Sequence, residues 1–191
     1  MEMVRAWTRQ HQHVLEELQT NGIYRVREEH IRLKNQAITD YYLELYQWYS
    51  RQAAKLVPLP EGALYPIWLF LKEEEKLPAI AGTVVLTLAV PREQLVITEV
   101  ERWGYRVNYM YIPLDAEDDK EHEAELEEYG IGNETALIQT SKGNFYPLLK
   151  RKIIKSWQRL FEPPRDSALV VTQGTVWELR REWLQGVEYG T

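Results

Sequence analysis

The chain has 191 residues, 45% of them apolar and 27% charged, with a net charge of −6. That composition fits a soluble globular protein with one sizeable core, and the absence of cysteine excludes disulfides, thiolate metal sites and cysteine nucleophiles. The acidic balance weighs against nucleic-acid binding, the longest apolar runs (67–71 and 84–90) are too short to span a bilayer, and residues 1–5 lack the charged and apolar parts of a leader, so a cytoplasmic protein without a membrane partner is expected.

Residues 4–8 read as a short strand and 11–20 as a helix with Val14, Leu15 and Leu18 on one face. Asn21-Gly22 closes it, because glycine takes the left-handed conformation without steric cost. One long helix is expected over 28–56, where Ile31, Ile38, Tyr42, Leu45, Tyr49, Ala53 and Leu56 recur at helical spacing as a core-facing stripe. After the breakers of 58–62, residues 65–71 have the nearly all-apolar composition of a strand buried on both faces. Residues 83–90 form a second strand rich in β-branched side chains, and 95–98 resume strand after the Pro91 turn.

The stretch 115–132 reads as an acidic surface insertion, with nine carboxylates against one lysine over 115–128. A helix follows at 145–161, with Leu149, Ile153, Trp157, Leu160 and Phe161 inward and Arg151, Lys155 and Arg159 on another face. A strand is expected at 168–172, then a last helix opened by a capping box of Thr175 and Glu178 and carrying Val176, Leu179 and Trp183. This order implies a mixed α+β (α/β) single domain over 1–191, with a small central sheet of about 4–6 strands and flanking helices.

Five of the seven tryptophans fall in short blocks: Trp7-Thr8-x-Gln10 and then Gly22-Ile23-Tyr24; Tyr65-Pro66-Ile67-Trp68; Trp103 with Val107 and Asn108; Ser156-Trp157-x-x-Leu160-Phe161; and Gln173-x-x-x-Trp177. In this order the blocks resemble the bacterial family designated domain of unknown function 3841, over nearly the whole chain. The resemblance implies one domain of shared architecture and brings no activity, cofactor or catalytic residue with it. The acidic stretch lies outside the resembling blocks, which favours a variable insertion.

No histidine pair has metal-ligand spacing, and His11 and His13 are expected to point apart, so no metal is expected. There is no nucleophile-elbow, P-loop or dinucleotide fingerprint. The best candidates are two apparent strand-to-helix junctions, 7–10 and 172–175, where free N–H groups attract anions. Trp7, Thr8, Gln10, Trp68, Trp103, Asn108 and Gln173 are therefore candidate ligand-binding residues, with the tryptophans as pocket walls. The competing structural reading makes Thr8 and Thr175 plain N-caps and the tryptophans core.

Whether the protein is an enzyme is left open. The leading function is a small-molecule or nucleotide-binding domain distantly like an ADP-ribosyltransferase, with NAD as the candidate cofactor; this rests on fold-level analogy. That fold opens with a short polar-ended strand and a helix ending in glycine, and carries a late-strand Gln or Glu. The late Glu is not evident here. The alternative is a non-catalytic module that docks a protein partner on the acidic insertion. Nucleic-acid binding by the basic face of 151–159 ranks last.

Overall fold

In the computed structural model, residues 2–167 and 169–190 are described, and the chain divides into two compact units, Met1–Ile97 with Thr172–Thr191, and Thr98–Val171. Among the described residues no helix is long and apolar enough to cross a membrane.

Unit 1 is built on a mixed α+β plan. Its strands are β1 (Met3–His11), β2 (Ile23–Tyr24), β3 (Ile67–Phe70), β4 (Thr83–Pro91), β5 (Val96–Glu99, on which the chain leaves the unit), β6 (Thr172–Val176), β7 (Leu179–Arg180) and β8 (Leu184–Tyr189). The main sheet has six strands in the order β5-β6-β3-β1-β4-β8, and β2 and β7 form a separate pair. All nine residues of β1 pair antiparallel with β4, from Met3↔Pro91 to His11↔Thr83, whereas β1 and β3 share the single pair Trp7↔Phe70.

Strand alternation turns Ala6, Ile67, Leu69, Val84, Leu86, Leu88 and Val176 to one face, where Val14, Leu15 and Leu18 of helix α1 (Gln12–Asn21) close the core with Trp183. Gly22 (φ 79°) ends α1 as expected, donating its N–H to the Leu18 carbonyl. On the opposite face, helix α3 (Thr39–Ala53) sets Tyr49 against Trp68, ring centres 5.0 Å apart, with the Tyr49 hydroxyl 2.8 Å from Thr175 Oγ1.

Several expectations fail locally. The long helix of 28–56 is two helices, α2 (Glu28–Asn35) and α3, broken where Gln36 takes φ 43°, a conformation a continuous helix excludes. Ile38 and Leu56, expected in its buried stripe, are exposed, and Leu43 is buried instead. The last helix does not form. Thr175 lies inside β6, and Glu178 is buried between Arg25 and Arg180 at 2.7 Å each, so that carboxylate serves an ion pair rather than a cap. The strand expected at 168–172 begins only at Thr172, and Ala168 lies outside the described residues.

Unit 2 contains helices α4 (Val100–Val107), α5 (Ala116–Glu128), α6 (Thr135–Gln139) and α7 (Pro147–Ser156), the last continued by a 3-10 turn over Trp157–Phe161. The acidic stretch is the helix α5, N-capped by Asp115, whose carboxylate accepts the N–H groups of Glu117 and Asp118. Its inward stripe is polar. Asp118 pairs with Arg159 at 2.8 Å, His122 is buried against Glu134 at 2.9 Å, and Glu125 pairs with Lys152 at 2.7 Å. These positions recur at helical spacing, and Arg159, expected on a solvated face, is thereby half-buried.

Gly174 sits in β6 where a Cβ would lie 3.0 Å from Leu71 Cδ2 and 3.1 Å from Leu95 Cδ2. Gly174→Val is therefore expected to overpack this layer and lower stability by about 1–3 kcal/mol, read from the midpoint of urea unfolding. Gly174→Ala should cost less, because the flexible leucine ends can yield.

Candidate functional site

The pairing of β1 with β3 stops after Trp7↔Phe70, and a side chain continues the connection. Thr8, buried at 2% exposure, donates its hydroxyl to the Trp68 carbonyl at 2.9 Å and accepts from Gln10 Nε2 at 2.8 Å. Where the strands part lies a cleft of about 280 Å³, lined by Thr8, Arg9 and Gln10 from β1 and by Ile67, Trp68 and Phe70 from β3, with Tyr24, His30 and Tyr46 among the remaining walls. Among the described residues the lining includes Arg9 and His30 but no carboxylate, in a chain of net charge −6. Burial pushes the phenols of Tyr24 and Tyr46 up to about 12, so both stay protonated at neutral pH and can donate.

The rim carries a histidine cluster. His30 Nδ1 is 3.1 Å from the Tyr24 hydroxyl and its Nε2 3.4 Å from Arg27 Nη2; because guanidinium only donates, Nε2 is the acceptor and Nδ1 carries the hydrogen in the neutral ring. The His13 ring lies 5.1 Å from His30, and His13 Nδ1 lies 2.9 Å from His11 Nδ1. His11 and His13 were expected to diverge. They converge because His11 is the N-cap of α1 and accepts the His13 N–H at 3.4 Å. Desolvation, and then the electrostatic influence of Arg27 and His13, hold His30 below the usual imidazole range. Among the described residues no group of histidines and carboxylates has the geometry to hold a metal ion.

Three of the seven candidate residues, Thr8, Gln10 and Trp68, line this one cleft. Trp7, the next residue along an alternating strand, points to the opposite face from Thr8, under the Arg5 guanidinium at 5.2 Å. Gln173 is in register with Phe70 but does not line the cleft; its Nε2 is buried without a hydrogen-bond partner among the described residues. Trp103 and Asn108 belong to unit 2, where Asn108 is exposed, caps α4 and donates to the Gly104 carbonyl at 2.9 Å. The two apparent strand-to-helix junctions are strand instead: residues 7–10 lie within β1 and 172–175 within β6. Thr8 is thus not an N-cap, and its role is a cross-strand bond. Sequence reasoning did not select Arg9, Tyr24, His30, Tyr46 or Phe70. Tyr24 stands in a quoted block and Phe70 just past one, but His30 and Tyr46 come from two helices and carry no local signal.

The chain belongs to the family Domain of unknown function (DUF3841), whose model matches residues 5–185. Neither a curated protein nor a solved structure matches it.

Two measurements test the geometry. Thr8→Val keeps the shape but strands the Trp68 carbonyl and the Gln10 amide, and should lower stability by about 1–3 kcal/mol; unfolding at the wild-type midpoint would contradict the cross-strand role. For His30 the folded pKa lies below the ordinary imidazole value of about 6.5, so the unfolded chain binds the proton more readily. This contribution is intact above about pH 6.5 and is lost as the pH falls through the lowered folded pKa. His30→Gln should flatten the acid limb of the stability–pH profile in that window, and an unchanged slope would refute the assignment.

Proposed function

We propose that this member of the family binds a nucleotide-like small molecule in the unit 1 cleft, in a bacterial, cytoplasmic setting, with NAD as the first ligand to try. The observation that carries the reading is the composition of the cleft wall. It combines the aromatic rings of Tyr24, Tyr46, Trp68 and Phe70 with Arg9 and His30, and has no carboxylate. Aromatic faces suit a planar base, an arginine suits phosphate oxygens, and a wall free of negative charge spares an anionic ligand from repulsion. Gln10, hydrogen-bonded to Thr8, offers a further polar contact at the cleft.

The likeness to an ADP-ribosyltransferase draws on the polar-ended strand β1, the helix α1 closed by Gly22, and Gln173 on the late strand β6. It is a fold-level analogy and assigns no catalytic residue. Calorimetric titration with NAD, ADP and adenosine is the test. Binding of the phosphorylated ligands is expected, with adenosine weaker. Arg9→Ala should weaken NAD and ADP but spare adenosine, and Trp68→Phe should weaken all three by less than about tenfold because a ring remains. No heat with NAD or ADP at millimolar concentration, together with unchanged tryptophan fluorescence, would sink this reading.

A second reading draws on α5. Glu117, Glu121 and Glu128 are exposed and have no ion-pair partner among the described residues, which suits docking to a basic protein. Replacing these three by Gln should abolish capture of such a partner without loss of helix content, and retained capture would remove α5 from that role.

A further inference from the structure

Within unit 2, a cavity of about 340 Å³ lies beside α5, lined by Tyr105, Tyr111, Asp119, His122, Glu123 and Glu134 among others. His122 is 3% exposed. Its Nε2 is 2.9 Å from Glu134 Oε2, and the other oxygen of Glu134 accepts the Tyr111 N–H at 3.2 Å. An ionised carboxylate only accepts, so the hydrogen of a neutral imidazole is on Nε2 and Nδ1 is left with a lone pair. That Nδ1 is buried and has no hydrogen-bond partner among the described residues. A buried acceptor in the wall of a cavity selects a ligand that donates.

The charges around it specify which kind of donor. Lys152 and Arg159 both approach the Tyr111 ring, at 5.1 and 5.0 Å, but each has its own carboxylate, Glu125 at 2.7 Å and Asp118 at 2.8 Å. Asp119 and Glu123 line the cavity with no ion-pair partner among the described residues, and the lining contains no lysine or arginine. Burial first, then the negative field of Glu101 and Asp119, raises the Tyr105 phenol above its ordinary range. The ring of Tyr111, stacked on His122 at 4.1 Å, and the side chains of Met110, Leu126 and Ile131 add apolar wall. A cation with an apolar body matches such walls, through the carboxylates at one end and the apolar side chains along its length.

We propose that unit 2 binds a small organic ammonium ion, with His122 Nδ1 accepting one N–H and Asp119 and Glu123 supplying the counter-charge. The site is independent of the unit 1 cleft and takes the opposite class of ligand. Its polar end is built by α5, so the acidity of this helix has a role that a solvated insertion would lack.

The test is nuclear magnetic resonance of the full chain labelled with ¹⁵N at histidine, near neutral pH. The probes are phenethylamine, its neutral analogue phenethyl alcohol and its anionic analogue phenylpropanoate. The amine alone is expected to move the His122 signals to saturation, Nδ1 more than Nε2. Asp119→Asn with Glu123→Gln should weaken this binding by roughly tenfold, as loss of partly exposed charge contacts would. Should the double variant lose helix content, Glu123→Gln alone, at an exposed position, should still weaken it about threefold. No saturable shift with the amine, equal binding of the alcohol, binding of the acid, or amine affinity unchanged in the carboxylate variants would each overturn the proposal.

Discussion

The central strand β1 has two edges and treats them unequally, and unit 1 is organised by that inequality. Toward β4 every residue of β1 is in register, so its backbone groups on that side are consumed by the sheet. Toward β3 only Trp7↔Phe70 pairs, and the next connection is the Thr8 hydroxyl on the Trp68 carbonyl. A buried backbone acceptor needs a partner, and a side chain can supply it while letting the strands separate. Threonine suits the position because it is β-branched, fits a strand, and has both a hydrogen to give and lone pairs for Gln10. The cleft is therefore a consequence of how β1 satisfies its second edge.

The same economy explains what could be read from the sequence. β4 and β3 announced themselves as β-branched or apolar runs, and Gly22 as a helix end, because each signal is local and physical. Thr8, Gln10 and Trp68 were chosen as polar ends and a wall of an apparent strand-to-helix junction; they do line one cleft, but they do so from within strands. His30 and Tyr46 were not, because their approach depends on α2 and α3 separating at Gln36, and no residue there is a glycine or proline that would mark a break. Thr175 with Glu178 misled for a related reason. Thr-x-x-Glu is a capping signal only when the glutamate is free to reach back, and here Arg25 and Arg180 hold it. Trp103 and Asn108 were chosen as an aromatic beside a polar amide, and closeness in the sequence does not fix which unit such a pair serves.

The acidic helix shows a second limit of pattern reading. Hydrophobic periodicity finds the inward face of a helix only when that face is apolar. In α5 the inward positions are Asp118, His122 and Glu125, each matched to a specific partner, so the helix is seated by charge and hydrogen bonding. Asp118 accepts from the Tyr111 hydroxyl and the Leu114 N–H as well as pairing with Arg159; burial would raise its pKa, and these contacts together hold it below the ordinary carboxylate range. A run of like charges along the chain is thereby divided into carboxylates with partners and carboxylates without.

Unit 2 extends that logic to its interior. Unit 1 closes mainly on Leu, Val and Ile from strands and α1, with Glu178 as a buried charge, whereas unit 2 buries Glu99, Arg102, Arg106, His122 and Glu134 beside its apolar residues. Arg106 lies with its guanidinium 4.0 Å from the Trp157 ring centre and 5.2 Å from Tyr109, an arrangement in which ring faces replace part of its lost hydration. Glu99, 1% exposed, receives two guanidinium contacts from Arg165 at 2.9 and 2.6 Å and lies 3.5 Å from Arg102. Desolvation alone would raise its pKa; the hydrogen bonds from Arg165 and the charges of both arginines outweigh it and keep the carboxyl below its ordinary range. Buried ion pairs of this kind add little net stability over apolar packing, yet breaking one leaves a charge without water or partner. Each buried charge therefore admits few arrangements of its neighbours. The geometry around Tyr111, His122 and Glu134 depends on such matches, because an imidazole held on one nitrogen by a fixed carboxylate can present the other in only one direction.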